Sequence, residues 1–205
     1  MTDKPTYVFA TNNAHKIDEV RQIVGDEIKI LSLNDIGCSE DIPENERTLE
    51  GNALAKAKWV KIHYGYDCFA DDTGLEVDAL GGEPGVRSAR YAPGEGHDSV
   101  ANMRLLLKKL DGKTDRRAQF RTVVAFLAGD EVYMFEGKVK GTIAEKPSGT
   151  QGFGYDPVFV PEGDTRSFAE YTPEEKNAIS HRGRAMSAML EFLRKRLSEK
   201  VKIER

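Results

Sequence analysis

Hydrophobic and polar positions alternate along the chain in the manner of strands and helices joined by short turns. Residues 6–10 form a short apolar run that is typical of a buried strand, and residues 28–33 alternate well enough for a second strand. Between them, apolar side chains recur at helical spacing, at Ile17, Val20, Ile23 and Val24. The N-terminal part is therefore predicted to fold as strand, Asn-rich turn, helix and strand.

The middle of the chain shows both periodicities. Residues 48–64 are predicted to be helical, with one apolar face made by Leu49, Ala53, Ala57, Val60 and Tyr64. A second helix should run from Asp98 or Ser99 to Leu110, with inward side chains Val100, Met103, Leu106, Leu107 and Leu110. Residues 117–127 and 131–140 are β-rich runs separated by a Gly-containing turn, which predicts a hairpin. These elements indicate an α/β fold with a mixed sheet.

Two adjacent carboxylates, Asp71 and Asp72, follow the apolar residues 68–70 and precede Thr73. An apolar strand that ends in acidic and small residues places charge at the rim of a sheet, where a cleft can form. Carboxylate oxygens there can hold Mg²⁺ or take a proton from water. Neighbouring side chains of an extended segment point to opposite faces, so we expect the two carboxylates to differ in role. The alternative is a polar turn between two strands.

The turn Thr11-Asn12-Asn13-Ala14-His15-Lys16 joins the first predicted strand to the first helix. The free N–H groups and positive dipole end of a helix N-terminus form an anion site, to which Thr11, the asparagines and Lys16 add donors. A phosphate chain fits these groups, whereas an N-capped helix with a solvated lysine is the alternative. No G-x-x-x-x-G-K-[ST] pattern occurs, so the turn is not a Walker loop.

The polar loop 34–47 and the helix after it contribute further candidates. The loop carries the carboxylates Glu40, Asp41, Glu44 and Glu46. One of them can reach a metal if the loop folds over the cleft, whereas a solvated loop is the simpler interpretation. Asn52 and Lys56 are four residues apart and so share one face of the predicted helix.

Three later segments carry groups suited to a nucleotide. The Gly- and Pro-containing loop 81–91 places Arg87 and Arg90 close in sequence, as anion contacts or as part of a simple ion pair. Residues 151–159 combine flanking glycines with aromatic rings that offer faces for a flat base, although an aromatic turn packed on the core has the same pattern. Residues 174–182 place the donors Lys176, His181 and Arg182 where the last helix is predicted to begin, and a solvated basic segment is the alternative.

Composition narrows the class of protein. The 205 residues are 39% hydrophobic and 31% charged, which suits one globular domain spanning residues 1–205. The net charge of −4 argues against binding a nucleic-acid polymer. No run approaches the roughly 18 apolar residues of a membrane span, and the N-terminus lacks a signal-peptide pattern. Cys38 and Cys68 are predicted to be buried thiols, so we expect a cytoplasmic protein.

Taken together, the motifs at residues 11–16, 70–75, 85–91, 152–157 and 175–182 resemble the motif set of the Ham1 family, in order and over nearly the whole chain. This family comprises pyrophosphatases of inosine, deoxyinosine and xanthosine triphosphates. The resemblance implies a long twisted mixed sheet flanked by helices, with two lobes and a central cleft, shared with the Maf-type proteins. It also implies a homodimer, a Mg²⁺ cofactor, and hydrolysis of a purine nucleoside triphosphate to the monophosphate and pyrophosphate, which cleanses the nucleotide pool.

The resemblance also assigns roles to residues. Asp72 would be the proton acceptor and a metal ligand, with Glu44 as the second metal carboxylate. The remaining positions would bind substrate: Thr11, Asn12, Asn13, Ala14, His15, Lys16, Lys56, Thr73, Phe153, Gly154, Tyr155, Asp156, Lys176, His181 and Arg182.

The sequence departs from the family pattern in two places. Many members have glycine where Asn12 and His15 stand, which leaves the shape of the phosphate turn open. The segment before the lysine helix also differs, so Glu46 and Glu50 remain alternatives to Glu44 at the metal. Two other functions remain open: a Maf-like pyrophosphatase of other modified nucleotides, and a non-catalytic nucleotide-binding regulator.

Overall fold

The computed structural model describes residues 4–94 and 96–203. Within them, one sheet contains the strands β1 (Thr6–Phe9), β2 (Lys29–Leu31), β3 (Cys68–Val77), β4 (Pro84–Gly85), β5 (Arg117–Ala128), β6 (Glu131–Ile143) and β7 (Phe159–Pro161). The order is β2-β1-β3-β5-β6-β7, with β4 paired to β3. β1 runs parallel to β2 and β3, whereas the other neighbours are antiparallel. The sheet is mixed, and the predicted hairpin is β5–β6.

The helices begin where the sequence supplies capping side chains. In the described part of the chain they are α1 (Ala14–Val24), α2 (Leu49–Tyr64), α3 (Ser99–Lys109), α4 (Pro173–Ile179) and α5 (His181–Ile203). The Asn13 side chain accepts a hydrogen bond from an N–H of α1, Thr48 does so for α2, and Asp98 accepts two from α3. Each cap satisfies N–H groups that the helix itself leaves free.

The predicted last helix is divided at Ser180 into α4 and α5. Ser180 has an extended backbone, and its hydroxyl accepts a hydrogen bond from the Gly183 N–H at 3.0 Å. Gly183 is required here because a Cβ atom would lie 1.9 Å from the Asn177 carbonyl oxygen. Because of this tight turn, Lys176 of α4 and Arg182 of α5 lie in the same region of the molecule.

Helices cover both faces of the sheet at its parallel end. On one face, Phe9, Phe69 and Phe126 pack with side chains of α1 and α5. On the opposite face, Val8 and Ala70 pack with Ala53, Ala57 and other residues of α2. These alternating positions bury both faces, as expected for a strand between helical layers.

The long strands β3, β5 and β6 extend beyond these helices into a second hydrophobic cluster. There Leu75, Phe120 and Val139 pack with Leu106 of α3 and with Phe159 of β7. The molecule therefore has two lobes that share one sheet, as the family resemblance implies.

One prediction about the sheet is wrong: the central strand does not end at the acidic pair. β3 continues to Val77 and pairs with β5 along its whole length. Charged side chains are tolerated in the middle of this strand because cations from the flanking helices neutralise them. Two other differences are the short strands β4 and β7, which were not predicted, and Val100, which is 48% exposed rather than inward.

Cys38 and Cys68 are buried free thiols, as predicted. Among the described residues, none of the helices combines the length and apolar character needed to cross a bilayer.

Candidate active site

A cavity of about 910 Å³ lies between the lobes, within the size range of small-molecule sites. Its lining includes nearly all the predicted site residues: Thr11, Asn12, Asn13, Lys16, Glu44, Lys56, Asp72, Thr73, Phe153, Gly154, Tyr155, Asp156, Lys176, His181 and Arg182. Ala14 and His15 are the predicted positions outside the lining. The His15 ring instead stacks on Phe153, with ring centroids 5.3 Å apart.

The adjacent carboxylates of β3 point to opposite faces of the sheet, as predicted. Asp71 faces α1 and α5, where it accepts hydrogen bonds from Lys16 Nζ at 2.8 Å and Arg182 Nε at 2.9 Å. Burial by itself would raise the pKa of Asp71, but the charges of Lys16, Arg182 and Lys56 hold it well below its usual range. Asp71 is therefore an ionised anchor for two cations.

Asp72 faces α2 and lines the cavity. Its Oδ2 accepts a hydrogen bond from Asn52 Nδ2 at 3.0 Å, and its Oδ1 accepts one from the Thr73 N–H at 3.1 Å. Burial raises the pKa of Asp72 above its usual value, although Lys56 and Lys16 oppose the shift. Asp72 is therefore a carboxylate that two hydrogen bonds fix in position and that binds a proton more strongly than usual. A general base requires this property.

Glu44 and Lys56 lie beside Asp72. Lys56 Nζ donates to Glu44 Oε1 at 2.5 Å and to the Asp71 carbonyl oxygen at 2.7 Å, and it lies 4.0 Å from Asp72 Oδ1. Burial lowers the pKa of Lys56, but Asp72, Glu44 and Asp71 outweigh it, so the pKa is raised and the amine stays charged. This arrangement concentrates charges of both signs around Lys56.

The structure distinguishes the alternative carboxylates by position. Glu50 forms an ion pair with Arg121, outside the cavity lining, and Glu46 does not line the cavity either. Glu44 lines the cavity, and so does Asp41 of the same loop. In the described residues, no cluster of at least three His, Cys, Asp or Glu side chains could hold a metal. Mg²⁺ commonly binds one or two protein carboxylates together with substrate phosphates and water, so the pair Asp72 and Glu44 fits this ion.

The turn before α1 forms the adjoining part of the cavity wall. Asn13 Oδ1 accepts from the Lys16 N–H at 3.2 Å, and the Asn13 N–H donates to Thr11 Oγ1 at 3.2 Å. No residue other than glycine has a positive φ angle in the described chain, so Asn12 and His15 occupy ordinary backbone regions. The turn therefore closes without a glycine at either position.

Another part of the cavity lining combines an aromatic ring with buried donors. Lys176 Nζ lies 4.9 Å from the centroid of the Phe153 ring and donates to Asp156 Oδ2 at 2.7 Å. Burial raises the pKa of Asp156 despite this lysine. Burial, aided by Arg182 and Lys176, lowers the pKa of His181 well below its usual value, so its imidazole is neutral at pH 7.

Several residues of the site were not singled out as functional from the sequence. Asn52 donates a hydrogen bond to Asp72. The sequence predicts that Asn52 shares a helix face with Lys56 but indicates no role for it. Glu19 of α1 is partly buried and accepts hydrogen bonds from both Lys176, at 2.7 Å, and Arg182. The signal for Glu19 is its position one helical turn after Lys16, but its partners lie more than 150 residues away.

The fold and the cavity define an α/β protein with an acidic and cationic cleft of the size that a nucleotide requires. The chain belongs to the Ham1 family, whose model matches residues 7–192. Among similar proteins, the "dITP/XTP pyrophosphatase" of Flavobacterium psychrophilum is 54% identical over 187 residues, covering 91% of this chain and 98% of that protein. The protein of the same name from Porphyromonas gingivalis is 54% identical, with 91% and 96% covered.

Solved structures agree with this assignment. The Staphylococcus aureus Ham1 protein aligns with a TM-score of 0.84 at 39% identity, covering 93% of this chain and 99% of that one. A HAM1 protein from Coxiella burnetii aligns with a TM-score of 0.85 at 35% identity, with 93% and 99% covered. The predicted family and fold class are thereby confirmed.

Proposed function

We propose that this chain hydrolyses the deaminated purine nucleoside triphosphates ITP, dITP and XTP to the nucleoside monophosphate and pyrophosphate. The observation that carries the proposal is the placement of Asp72, a carboxylate fixed by two hydrogen bonds and with a raised pKa, in a cavity that Lys16, Lys56, Glu44 and Phe153 also line. The names of the relatives described above support the same substrates.

The residues around Asp72 have the chemistry that attack by water on the α-phosphorus requires. Asn52 and the Thr73 N–H fix the carboxylate, which accepts the proton of the attacking water. Lys16, Lys56 and the N–H groups that begin α1 stabilise the charge that develops on the leaving pyrophosphate. Cleavage at the α-phosphorus follows from the position at which Asp72 holds the water.

We propose Mg²⁺ as the cofactor, with Asp72 and Glu44 as the residues that hold it. When bound, this ion neutralises phosphate charge and polarises the bonds to phosphorus. Lys56 lies between the two carboxylates and so keeps them from repelling each other before the ion and substrate arrive.

Selectivity for the base is proposed to come from the donors beside the Phe153 ring. Hypoxanthine and xanthine present an oxygen at C6, whereas adenine presents an amino group. Lys176 and Arg182 can only donate, so they pair with the oxygen and leave the adenine amino group facing another donor. An unpaired buried polar group costs roughly 1–3 kcal/mol, so ATP should be disfavoured by about ten- to a hundredfold per contact.

A pyrophosphate-release assay over ITP, dITP, XTP, GTP and ATP, with and without Mg²⁺, tests these proposals. We expect rapid release from ITP, dITP and XTP, slow release from ATP, and loss of activity in excess chelator. Equal hydrolysis of ATP and ITP would contradict the proposed base recognition. Release of inorganic phosphate in place of pyrophosphate would contradict attack at the α-phosphorus, and a preference for modified pyrimidines would favour the Maf-like alternative.

We also propose that the protein is a cytoplasmic homodimer, as the family resemblance implies. Val132 and Met134 of β6 are 44% and 42% exposed and lie on one face of the strand, where a second subunit can cover them. Light scattering in solution tests the subunit number, and a monomeric mass at micromolar concentration would contradict the dimer.

A further inference from the structure

Arg90 differs from the other cations of the cavity in how firmly it is held. The side chains of Lys16, Lys56, Lys176 and Arg182 are 15%, 7%, 6% and 2% exposed, and each pairs with at least one carboxylate. Arg90 lines the same cavity, but its side chain is 53% exposed. Its one ion-pair partner among the described residues is Glu44, at 3.2 Å. Arg90 is therefore the cavity cation that can change partners most readily.

Arg90 lies in the part of the cavity that holds Glu44 and Lys56, where the proposed function places the phosphates. Glu44 accepts from Arg90 through Oε2 and from Lys56 through Oε1, so a single carboxylate separates the two cations. Arg90 reaches this point from the second lobe, just after β4, whereas Lys16 and Lys56 belong to α1 and α2 of the first lobe. A polyanion there would thus contact cations from both lobes.

We propose that Arg90 leaves Glu44 and binds the β- and γ-phosphates of the substrate, which makes it a further substrate-binding residue of the proposed pyrophosphatase. An exposed ion pair contributes little to stability, so the pair with Glu44 is easily exchanged. A phosphate group offers more charge than one carboxylate and matches the fork of the guanidinium. When Arg90 leaves, Glu44 can face the proposed Mg²⁺. The phosphate tail is then bound by residues of both lobes.

The neighbouring Arg87 provides a matched control. It is exposed, lies three residues earlier in the same loop, and does not line the cavity. The two variants Arg87→Gln and Arg90→Gln therefore change the net charge equally but affect the cavity differently. Both side chains are exposed, so neither change removes core packing.

The test measures binding by calorimetry in the presence of Mg²⁺ for wild type and both variants, with two nucleotides. One is the α,β-methylene analogue of ITP, which carries the full tail but cannot be cleaved to pyrophosphate, and the other is IMP, which lacks the β- and γ-phosphates. We expect Arg90→Gln to weaken binding of the ITP analogue by about tenfold, the loss of one charge-assisted contact, and to leave IMP binding unchanged. Arg87→Gln should leave both unchanged.

Four results would overturn the inference. Weakening of the ITP analogue by less than threefold in Arg90→Gln would show that Arg90 does not bind the tail. Equal weakening of IMP and analogue binding in Arg90→Gln would show that Arg90 acts on a part of the nucleotide other than the β- and γ-phosphates. An equal effect of Arg87→Gln would show that only the long-range effect of the lost charge had been measured. A wild-type protein that bound neither nucleotide would overturn the proposed function as well, whereas the other results refute the role of Arg90 alone.

Discussion

The adjacent carboxylates of β3 should respond in opposite ways to the same substitution, because their surroundings differ. Asp71→Asn removes a charge that Lys16 and Arg182 require, whereas Asp72→Asn removes a charge that burial disfavours. Both substitutions conserve size, and the residues are neighbours in sequence. Comparing the two variants therefore distinguishes a carboxylate that stabilises the fold from one that acts in catalysis.

The magnitude follows from the partners that each substitution leaves behind. Asp71 is the only described carboxylate within ion-pair distance of Lys16, whereas Arg182 keeps Glu19. Breaking a buried ion pair costs about 3–5 kcal/mol, and the retained Glu19 places Asp71→Asn near the lower value, about 3 kcal/mol. For a chain of this length each kcal/mol lowers the melting temperature by about 2–4 °C, so we expect a decrease of about 6–12 °C.

Asp72→Asn should behave differently. Lys56 keeps Glu44 at 2.5 Å, and the raised pKa of Asp72 means that its ionised form costs folding free energy at pH 7. The melting temperature should therefore be equal to that of wild type or higher. Turnover of ITP should fall by about 10²–10⁴-fold, since the proton acceptor is lost, while binding of ITP is retained.

Calorimetric unfolding and pyrophosphate release on the two variants provide the measurement. The reasoning would be refuted by a variant Asp72→Asn that turns over ITP at the wild-type rate, or that loses as much stability as Asp71→Asn. A melting temperature of Asp71→Asn equal to that of wild type would likewise show that its ion pairs do not stabilise the fold.

The remaining predictions concern pH, the metal and Glu19. Since burial raises the pKa of Asp72 above the ordinary 3.8, kcat/KM for ITP should fall on the acid side with an apparent pKa above that value; a profile flat down to pH 4 would exclude Asp72 as the base. Glu44→Gln should raise the Mg²⁺ concentration for half-maximal activity by about tenfold, the loss of one hard oxygen ligand, and an equal effect of Glu46→Gln would place the ion elsewhere. Glu19→Gln should lower the melting temperature and raise KM for ITP more than it lowers kcat, because Lys176 and Arg182 lose their shared carboxylate; unchanged KM and stability, as expected for the exposed Asp18→Asn, would refute this.

Most secondary structure was predictable because local patterns determine it. The helix at Leu49–Tyr64 follows from its apolar face and the Thr48 cap, and the β5–β6 hairpin follows from two β-rich runs around Gly129. The short strands β4 and β7 were missed, since two or three residues carry no periodicity. The motifs that resemble the Ham1 family supplied the two lobes and the cleft, which local patterns alone do not provide.

The sequence predicted which residues form the site better than it predicted which of them contact each other. By itself, the sequence determined that Asp71 and Asp72 face opposite ways, because extended backbone alternates its side chains. The tertiary structure decided which of the two carboxylates pairs with Lys16 and Arg182 and which lines the cavity, and hence which has its pKa lowered and which has it raised. It also decided that Glu19 meets Lys176 and that Arg90, rather than Arg87, lines the cavity. These pairings join residues from distant parts of the chain, so they depend on how helices pack on the sheet and not on any local pattern.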